Sequence, residues 1–397
     1  MEAVVIPFYA PSIDESDIEA IASVMRSGWL ASGPRVREFE QRFAEKTGAT
    51  FAVATSSCTA ALFCALRSMG IGPGDAVIVP SLTFTATAEA VLQNGAKVVF
   101  SDVGANCTMA TAATIRSAIE SHRAETGKDV SAVVITHYGG EIAGDIGAIN
   151  ELCRELGIVL INDCAHCLDS SFLSKTPVDE AWLPVGKLPG LCCFSFYPNK
   201  CITTGLGGMI TGNDADIIAA CRALVNHGIS RSANRFNWDY EITSEGFNFN
   251  MPDTAAAMGI AQLLKSSALH YARSSASMRY DAAFLDHRYL RIVTGKLSTS
   301  RSSNHLYAVA LDHPTISRDS LIGSLLERGI EASVHWRPLH RHKVYQQLIQ
   351  NGRVFCDELI NSDNLSSRIL SLPLYPSLQT FEQDQVISAV NEILLAY

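Results

Sequence analysis

Four short stretches carry residue types whose spacing could support chemistry. In ATSSCTAAL, residues 54–62, a strand-like run gives way to small hydroxyl residues and then to a helix. Free N–H groups at such a helix start, helped by the macrodipole, form an anion site, with Ser57 and Thr59 as candidate phosphate ligands. Ordinary N-capping by a hydroxyl explains the same residues. In GIVLINDCAHC, 157–167, Asp163 follows a fully apolar strand, with His166 three residues on. A carboxylate in that position is costly unless it is paired. Cys164 and Cys167 form a CxxC, but no second Cys or His pair at similar spacing accompanies it, so packed thiols are preferred to a metal or redox site. In CCFSFYPNKCITTGLGGMI, 192–210, Lys200 lies in a loop between a buried strand and a glycine-rich turn. Desolvation there lowers an amine's pKa and makes it a usable nucleophile, whereas an ordinary surface lysine would reach into water. In HWRPLHRH, 335–342, Pro338 breaks helical spacing between the histidines, which argues against a metal cluster.

Taken together these pieces match one cofactor. Pyridoxal 5′-phosphate needs a phosphate cup, an anion opposite the ring nitrogen, an imine-forming lysine and a flat side chain on the ring. The helix start at 57–59, Asp163, Lys200 and Phe84 supply those four.

The elements that must position them form an alternating pattern. FAVAT, AVIVP, KVVFSDV, SAVVITH and GIVLIND read as apolar strands, separated by helices ending at Gly70 and Gly95 and spanning 111–124 and 145–156. LCCFSF and GGMITG add two more strands. Continuous apolar strands joined by helices mean a mainly parallel sheet buried on both faces, here of about seven strands. Its binding site is expected at the strand C-termini. Ile18, Ile21, Val24 and Met25 predict an earlier amphipathic helix, and Phe39 and Phe43 mark another. A long helical stretch at 253–287 leads to HLYAVAL, a helix near 318–328, a strand-like EASVHW and a final helix near 381–395. The expected division is a large domain over 1–265, with the N-terminal segment, and a small C-terminal α+β domain over 266–397.

Composition narrows the function classes. The hydrophobic fraction is 47% and the charged fraction 18%, enough apolar surface for a filled core. The net charge of −9, without a basic run, argues against nucleic acid or an anionic membrane as the main partner. No apolar stretch approaches the ~18 residues of a membrane span, and the N-terminal residues lack a signal-peptide pattern. A cytoplasmic location is expected, with the eleven cysteines mostly reduced.

At this level of detail the chain resembles the DegT/StrS-type sugar aminotransferases, pyridoxal-phosphate enzymes of fold type I. The likeness runs through SGP (32–34), SSCTAAL (56–62), GIGPGD (70–75), PSLTFTAT (80–87), NDCAHC (162–167), FSFYPNK (194–200), GGM (207–209), NHG (226–228), GFNFNMPDTAAAMG (246–259), VHWRPLH (334–340) and LSLPLYP (370–376). The resemblance implies that Lys200 bonds to the cofactor, Asp163 faces the pyridine nitrogen, His166 lies near O3′ and Phe84 stacks on the ring. It places Ser57, Cys58 and Thr59 in the phosphate loop, with Ser195 as a second phosphate contact. An asparagine from the neighbouring subunit, Asn250 in preference to Asn248, is implied to complete that site in a homodimer. His335 is the candidate substrate contact. Departures from the family pattern are Cys58 where glycine is usual, Asn162 where glutamate is common, and GLGG where GEGG is frequent. The presence of Lys200 argues against the dehydratase relatives that carry histidine there.

The implied reaction moves an amino group from L-glutamate to a keto sugar, with a nucleotide-linked 4-keto-6-deoxyhexose or 4-ketopentose favoured over a cyclitol or 3-keto sugar. A non-catalytic PLP-binding regulator is the alternative of another class, but no fused helix-turn-helix is visible. A nicotinamide dehydrogenase would need a glycine fingerprint after a strand, and GIGPG follows a helix.

Overall fold

The computed structural model describes residues 5–175, 180–230 and 239–395; residues 1–4 of the N-terminal stretch read above lie outside it. Helices α1 (Glu15–Ser27) and α2 (Pro34–Thr47) lead into β1 (Phe51–Thr55), α3 (Cys58–Ser68), β2 (Ala76–Pro80), α4 (Thr85–Gln93), β3 (Lys97–Ser101), α5 (Ala112–Thr126), β4 (Ala132–Thr136), α6 (Ile146–Leu156) and β5 (Val159–Asp163). The hairpin strands β6 (Ser171–Lys175) and β7 (Glu180–Pro184) precede β8 (Leu191–Ser195), β9 (Gly208–Gly212) and α7 (Ala215–Val225). A short pair, β10 (Ile229–Ser230) and β11 (Glu241–Ile242), precedes the 32-residue α8 (Asp253–Phe284). Then follow β12 (Leu290–Ile292), β13 (Ser300–Arg301), β14 (Tyr307–Leu311), α9 (Arg318–Glu327), α10 (Lys343–Gln350), β15 (Val354–Phe355), α11 (Ile360–Ser366), β16 (Ile369–Leu372) and α12 (Thr380–Leu395).

The main sheet runs β1-β9-β8-β5-β4-β2-β3-β15. Only β9 is antiparallel to its neighbours. Seven strands match the sequence pattern; the eighth, β15, pairs two residues in parallel with β3 and has no pattern of its own. Strand residues alternate between two cores because successive side chains point to opposite faces. Ile78 and Val133 pack with Phe39 and Phe43 of α2 and Ile260 of α8, while Val77 and Val134 pack with Leu62 and Leu66 of α3. Cys64, Cys192, Cys193 and Cys221 are buried free thiols within these layers, packed as small hydrophobes.

At about 1.5 Å per residue, α8 extends for about 48 Å and passes through residue 265 without a break. It joins the large sheet to a smaller antiparallel one, β12-β14-β16, covered by Tyr280, Phe284, Val386 and Val390. Among the described residues no helix is long and apolar enough to cross a membrane.

Two local expectations are corrected. EASVHW is not a strand. Ser333 makes an isolated bridge to Ser371, and the chain then leaves the sheet to deliver His335 and Trp336 to a cavity. Helix α1 forms as expected, but Ile18 and Met25 face outward while Asp17 is buried. The Asp17 carboxylate accepts hydrogen bonds from Lys265 and Gln262 on α8, at 2.6 and 3.0 Å, and that pairing sets the inward face.

Candidate active site

Strands β1, β2, β4, β5 and β8 all point their C-termini to one sheet edge, where a cavity of about 470 Å³ opens. At the end of β1, Ser57 caps α3, its Oγ accepting the Ala60 N–H at 3.1 Å. Ser57 therefore caps the helix, and two further amides of the turn stay open. Among the described residues the N–H groups of Cys58 and Thr59 find no protein acceptor, and both residues line the cavity. Gly208 of β9 lets the sheet press against this turn. A Cβ there would lie 2.5 Å from the Ser57 carbonyl and 2.6 Å from the Cys58 nitrogen. Ser195 closes the same corner, its Oγ accepting the Tyr197 N–H at 3.4 Å.

Asp163 ends β5 and is 6% exposed. Its Oδ2 accepts the Thr87 hydroxyl at 2.8 Å and its Oδ1 accepts the Ala165 N–H at 3.1 Å. Behind Thr87 the hydroxyls of Thr83 and Thr136 continue the chain, at 2.9 and 2.8 Å. Burial nevertheless raises the carboxyl pKa above its ordinary value, against the pull of Thr87, Ala165 and Lys200. A desolvated carboxyl with lone pairs to spare suits a cationic partner, which would favour its ionised form. Lys200 lines the same cavity, and burial lowers its amine pKa despite the opposing charge of Asp163. Burial first, and then Asp163, push the Cys58 thiol well up, so it faces the cavity protonated.

Four histidines stand nearby as neutral rings. His166 accepts the Gly139 N–H at Nδ1, 3.2 Å away, leaving Nε2 as the protonated nitrogen. Burial and the Lys200 charge hold its pKa well below the usual range. Trp336 stacks on it with centroids 5.5 Å apart, and His305 lies at 4.1 Å. His335 is held near pKa 3 by the same two causes. Its Nδ1 pairs with Ser371 Oγ at 3.0 Å, while the Tyr138 hydroxyl donates to its carbonyl at 2.6 Å. His137 is lowered to about 4 by burial, against the pull of Asn162.

The structure thus brings Ser57, Cys58, Thr59, Phe84, Asp163, His166, Ser195, Lys200 and His335 to one cavity. Phe84 caps α4 at the mouth, 57% exposed. Asn248 and Asn250 do not line it; Asn250 Nδ2 donates to Asn226 and Asn248 at 3.1 and 3.0 Å. The HWRPLHRH histidines diverge. His335 enters the cavity, His340 bonds Ser81 and Asp363, and His342 reaches the Arg337 carbonyl. Sequence reasoning missed Thr87, Thr83 and Thr136, and the cavity wall formed by His137, Tyr197, Asn199 and Trp336. A signal for the first two existed: hydroxyls four residues apart, one just before and one in the first turn of an Ala-rich helix.

These residues fit pyridoxal phosphate. Two unpaired amides suit its phosphate, a buried carboxylate with spare lone pairs suits its protonated nitrogen, and a depressed lysine suits its aldehyde. The fold and the site define a PLP-dependent aminotransferase of the fold type I class. The DegT/DnrJ/EryC1/StrS aminotransferase family model matches residues 11–391, and the chain belongs to that family. It is 36% identical over 397 residues to the spore coat polysaccharide biosynthesis protein SpsC of Bacillus subtilis, covering 98% of this chain and 97% of that one. It is 32% identical over 406 residues to the UDP-4-amino-4-deoxy-L-arabinose–oxoglutarate aminotransferase of Shewanella sediminis, covering 98% of each. Among solved structures it resembles a putative sugar aminotransferase, Spr1654, of Streptococcus pneumoniae in its PLP form, with a TM-score of 0.86, 27% identity and 99% of both chains covered. The PMP form of the same protein matches with a TM-score of 0.87 at 27% identity, covering 98% of this chain and 99% of that one. The enzyme is a PLP-dependent aminotransferase of a sugar aminotransferase family.

Proposed function

We propose that the enzyme transfers an amino group from L-glutamate to a nucleotide-linked 4-keto sugar, a 6-deoxyhexose or a pentose. The observation that carries this reading is the shared cavity of Lys200, Asp163 and the free amides of α3. The relative from Shewanella, whose name gives a UDP-linked 4-amino sugar and oxoglutarate, supports the substrate class and the donor. Pyridoxal phosphate, when bound, supplies the electron sink for cleaving a bond at the donor's α-carbon.

In this reading each side chain has one task. The amides of Cys58 and Thr59, with Ser195, hold the phosphate. Asp163 holds the proton on the pyridine nitrogen. Lys200 would hold the cofactor's aldehyde carbon and, as a free amine, would be the base that moves a proton at the donor's α-carbon through Nζ. Its burial favours the free base needed for that transfer. His166, with Nε2–H free to donate, would bond the cofactor's ring hydroxyl, and Phe84 would cover its ring. Residues 1–265 supply these groups, and residues 266–397 bring His335 and Trp336 to the sugar. One glutamate and one keto sugar give one 2-oxoglutarate and one amino sugar.

The test is a pair of half-reactions on purified holoenzyme. Glutamate alone should bleach the visible cofactor band and release stoichiometric 2-oxoglutarate. A nucleotide-linked 4-keto sugar should then restore the band and yield an amine by mass spectrometry. Bleaching without any amine from UDP- or dTDP-linked 4-keto sugars would overturn the substrate assignment.

A further inference from the structure

Arg273 of α8 is 5% exposed. Nη1 donates to the Cys201 carbonyl at 3.3 Å and Nη2 to the Lys200 carbonyl at 3.2 Å. Nε has no partner. No carboxylate among the described residues forms an ion pair with it. Asp169, the acid whose field reaches it, is already bridged by Lys46. An arginine keeps its charge in such a place, so the protein tolerates a buried cation that an apolar residue of similar volume would avoid.

The two carbonyls it holds belong to consecutive residues, one of them the cavity lysine. The rest of the loop is tied at its ends. Lys200 N–H donates to Tyr197 O, Thr204 N–H to Phe196 O, and the Thr203 hydroxyl to Phe196 O. Among the described residues no other donor reaches the Lys200 or Cys201 carbonyl. The guanidinium fork therefore fixes the centre of the loop from behind. Two parallel N–H groups match two successive carbonyls in a way an ammonium cannot.

We propose that Arg273 is a positioning residue that sets the depth and direction at which Lys200 enters the cavity. Nearby, His305 packs on His166, its pKa held well below the usual range by burial first, then by Lys200, with Arg273 adding to both. Lys200 is surrounded by Asp163, by the thiols Cys58, Cys167 and Cys201, and by the neutral rings of His166, His305 and His335.

This inference rests on Lys200 being the lysine that carries the cofactor, which the loss of the visible band in Lys200→Ala checks separately. The test uses Arg273→Lys and Arg273→Gln. Cofactor-free protein is mixed with pyridoxal phosphate while the visible band is followed, and the band is then titrated with pH. Both variants should capture cofactor about tenfold more slowly, because each loses the two-carbonyl fork. The pH midpoint of the band should rise in both variants, because an amine held less deeply loses part of the burial that lowers its pKa. Melting of the cofactor-free proteins reports any general destabilisation. Wild-type capture rates in both variants would overturn the proposal, whatever their melting temperatures. If Arg273→Gln does not fold, the capture rate of Arg273→Lys decides alone.

Discussion

The Thr87 hydroxyl donates to Oδ2 of Asp163 across 2.8 Å, linking the first turn of α4 to the end of β5. It favours the ionised form of a carboxyl whose pKa burial raises. Thr87→Val keeps the shape and removes the donor. A hydrogen bond to a charged group is worth about 1.5–3 kcal/mol, so affinity for pyridoxal phosphate should fall about tenfold or more, read from titration of the visible band. Asp163→Asn removes the charge itself and should cost about 100-fold or more in turnover while the fold is retained. Equal affinity and turnover in both variants would show that Asp163 does not face the cofactor.

Lys200 and Asp163 were legible because their types are out of place. A carboxylate after an apolar strand and a lysine before a glycine turn each stand against a hydrophobic background. The hydroxyl chain behind Asp163 was not legible, because it depends on register. Thr136 of β4 lies opposite Asp163 of β5, and Thr83 joins them from the loop after β2. Strand order and alignment are not written in either strand alone. The apolar pattern of α1 misled for a related reason: its inward face was decided by Lys265 and Gln262, some 250 residues away in the chain.

Gly208 tests the close approach between β9 and the phosphate cup. A methyl group there would meet Ser57 and Cys58 backbone rather than a movable side chain. Gly208→Ala should shift the start of α3 and cost about 1–3 kcal/mol of stability, typical of overpacking. Affinity for pyridoxal phosphate should fall with it. Urea unfolding without cofactor and binding titration with it separate the two effects.

His137 makes stability depend on pH. It is neutral in the fold, with Nδ1 accepting the Ala143 N–H and Nε2 donating to Asn162 Oδ1, both at 3.1 Å. Its folded pKa, about 4, lies below the unfolded value of about 6.5. The unfolded chain therefore binds more protons between those values, and stability falls as pH drops from about 6.5 toward 4. The full difference is of order 3 kcal/mol. His335, His166 and His305 are shifted in the same direction and add to the slope. Asp163, shifted up, opposes it slightly, because its protonation relieves a buried charge. Urea midpoints of the cofactor-free protein at several pH values between 4 and 7 should show the decline, and His137→Gln should reduce its steepness.

Asn250 tests whether two subunits share each site. A phosphate dianion wants more donors than two amides and Ser195 offer. Asn250 carries an amide that does not line its own chain's cavity, held by Asn226 and Asn248 beside the stacked rings of Phe247 and Phe249. If it serves the neighbouring subunit, Asn250→Asp sets a carboxylate against that phosphate and should weaken cofactor binding by a few kcal/mol, through lost donation and repulsion. Lys200→Ala disables the other half of the site. Mixing and reassembling the two inactive variants then gives heterodimers in which one site holds both lesions and the other holds neither. Activity should return in the mixture, approaching about a quarter of that of an equal amount of wild-type dimer, since about half the dimers are mixed and each carries one intact site. If mixed dimers form, as judged by differently tagged subunits co-purifying, and no activity returns, then Asn250 acts in its own chain or not at all.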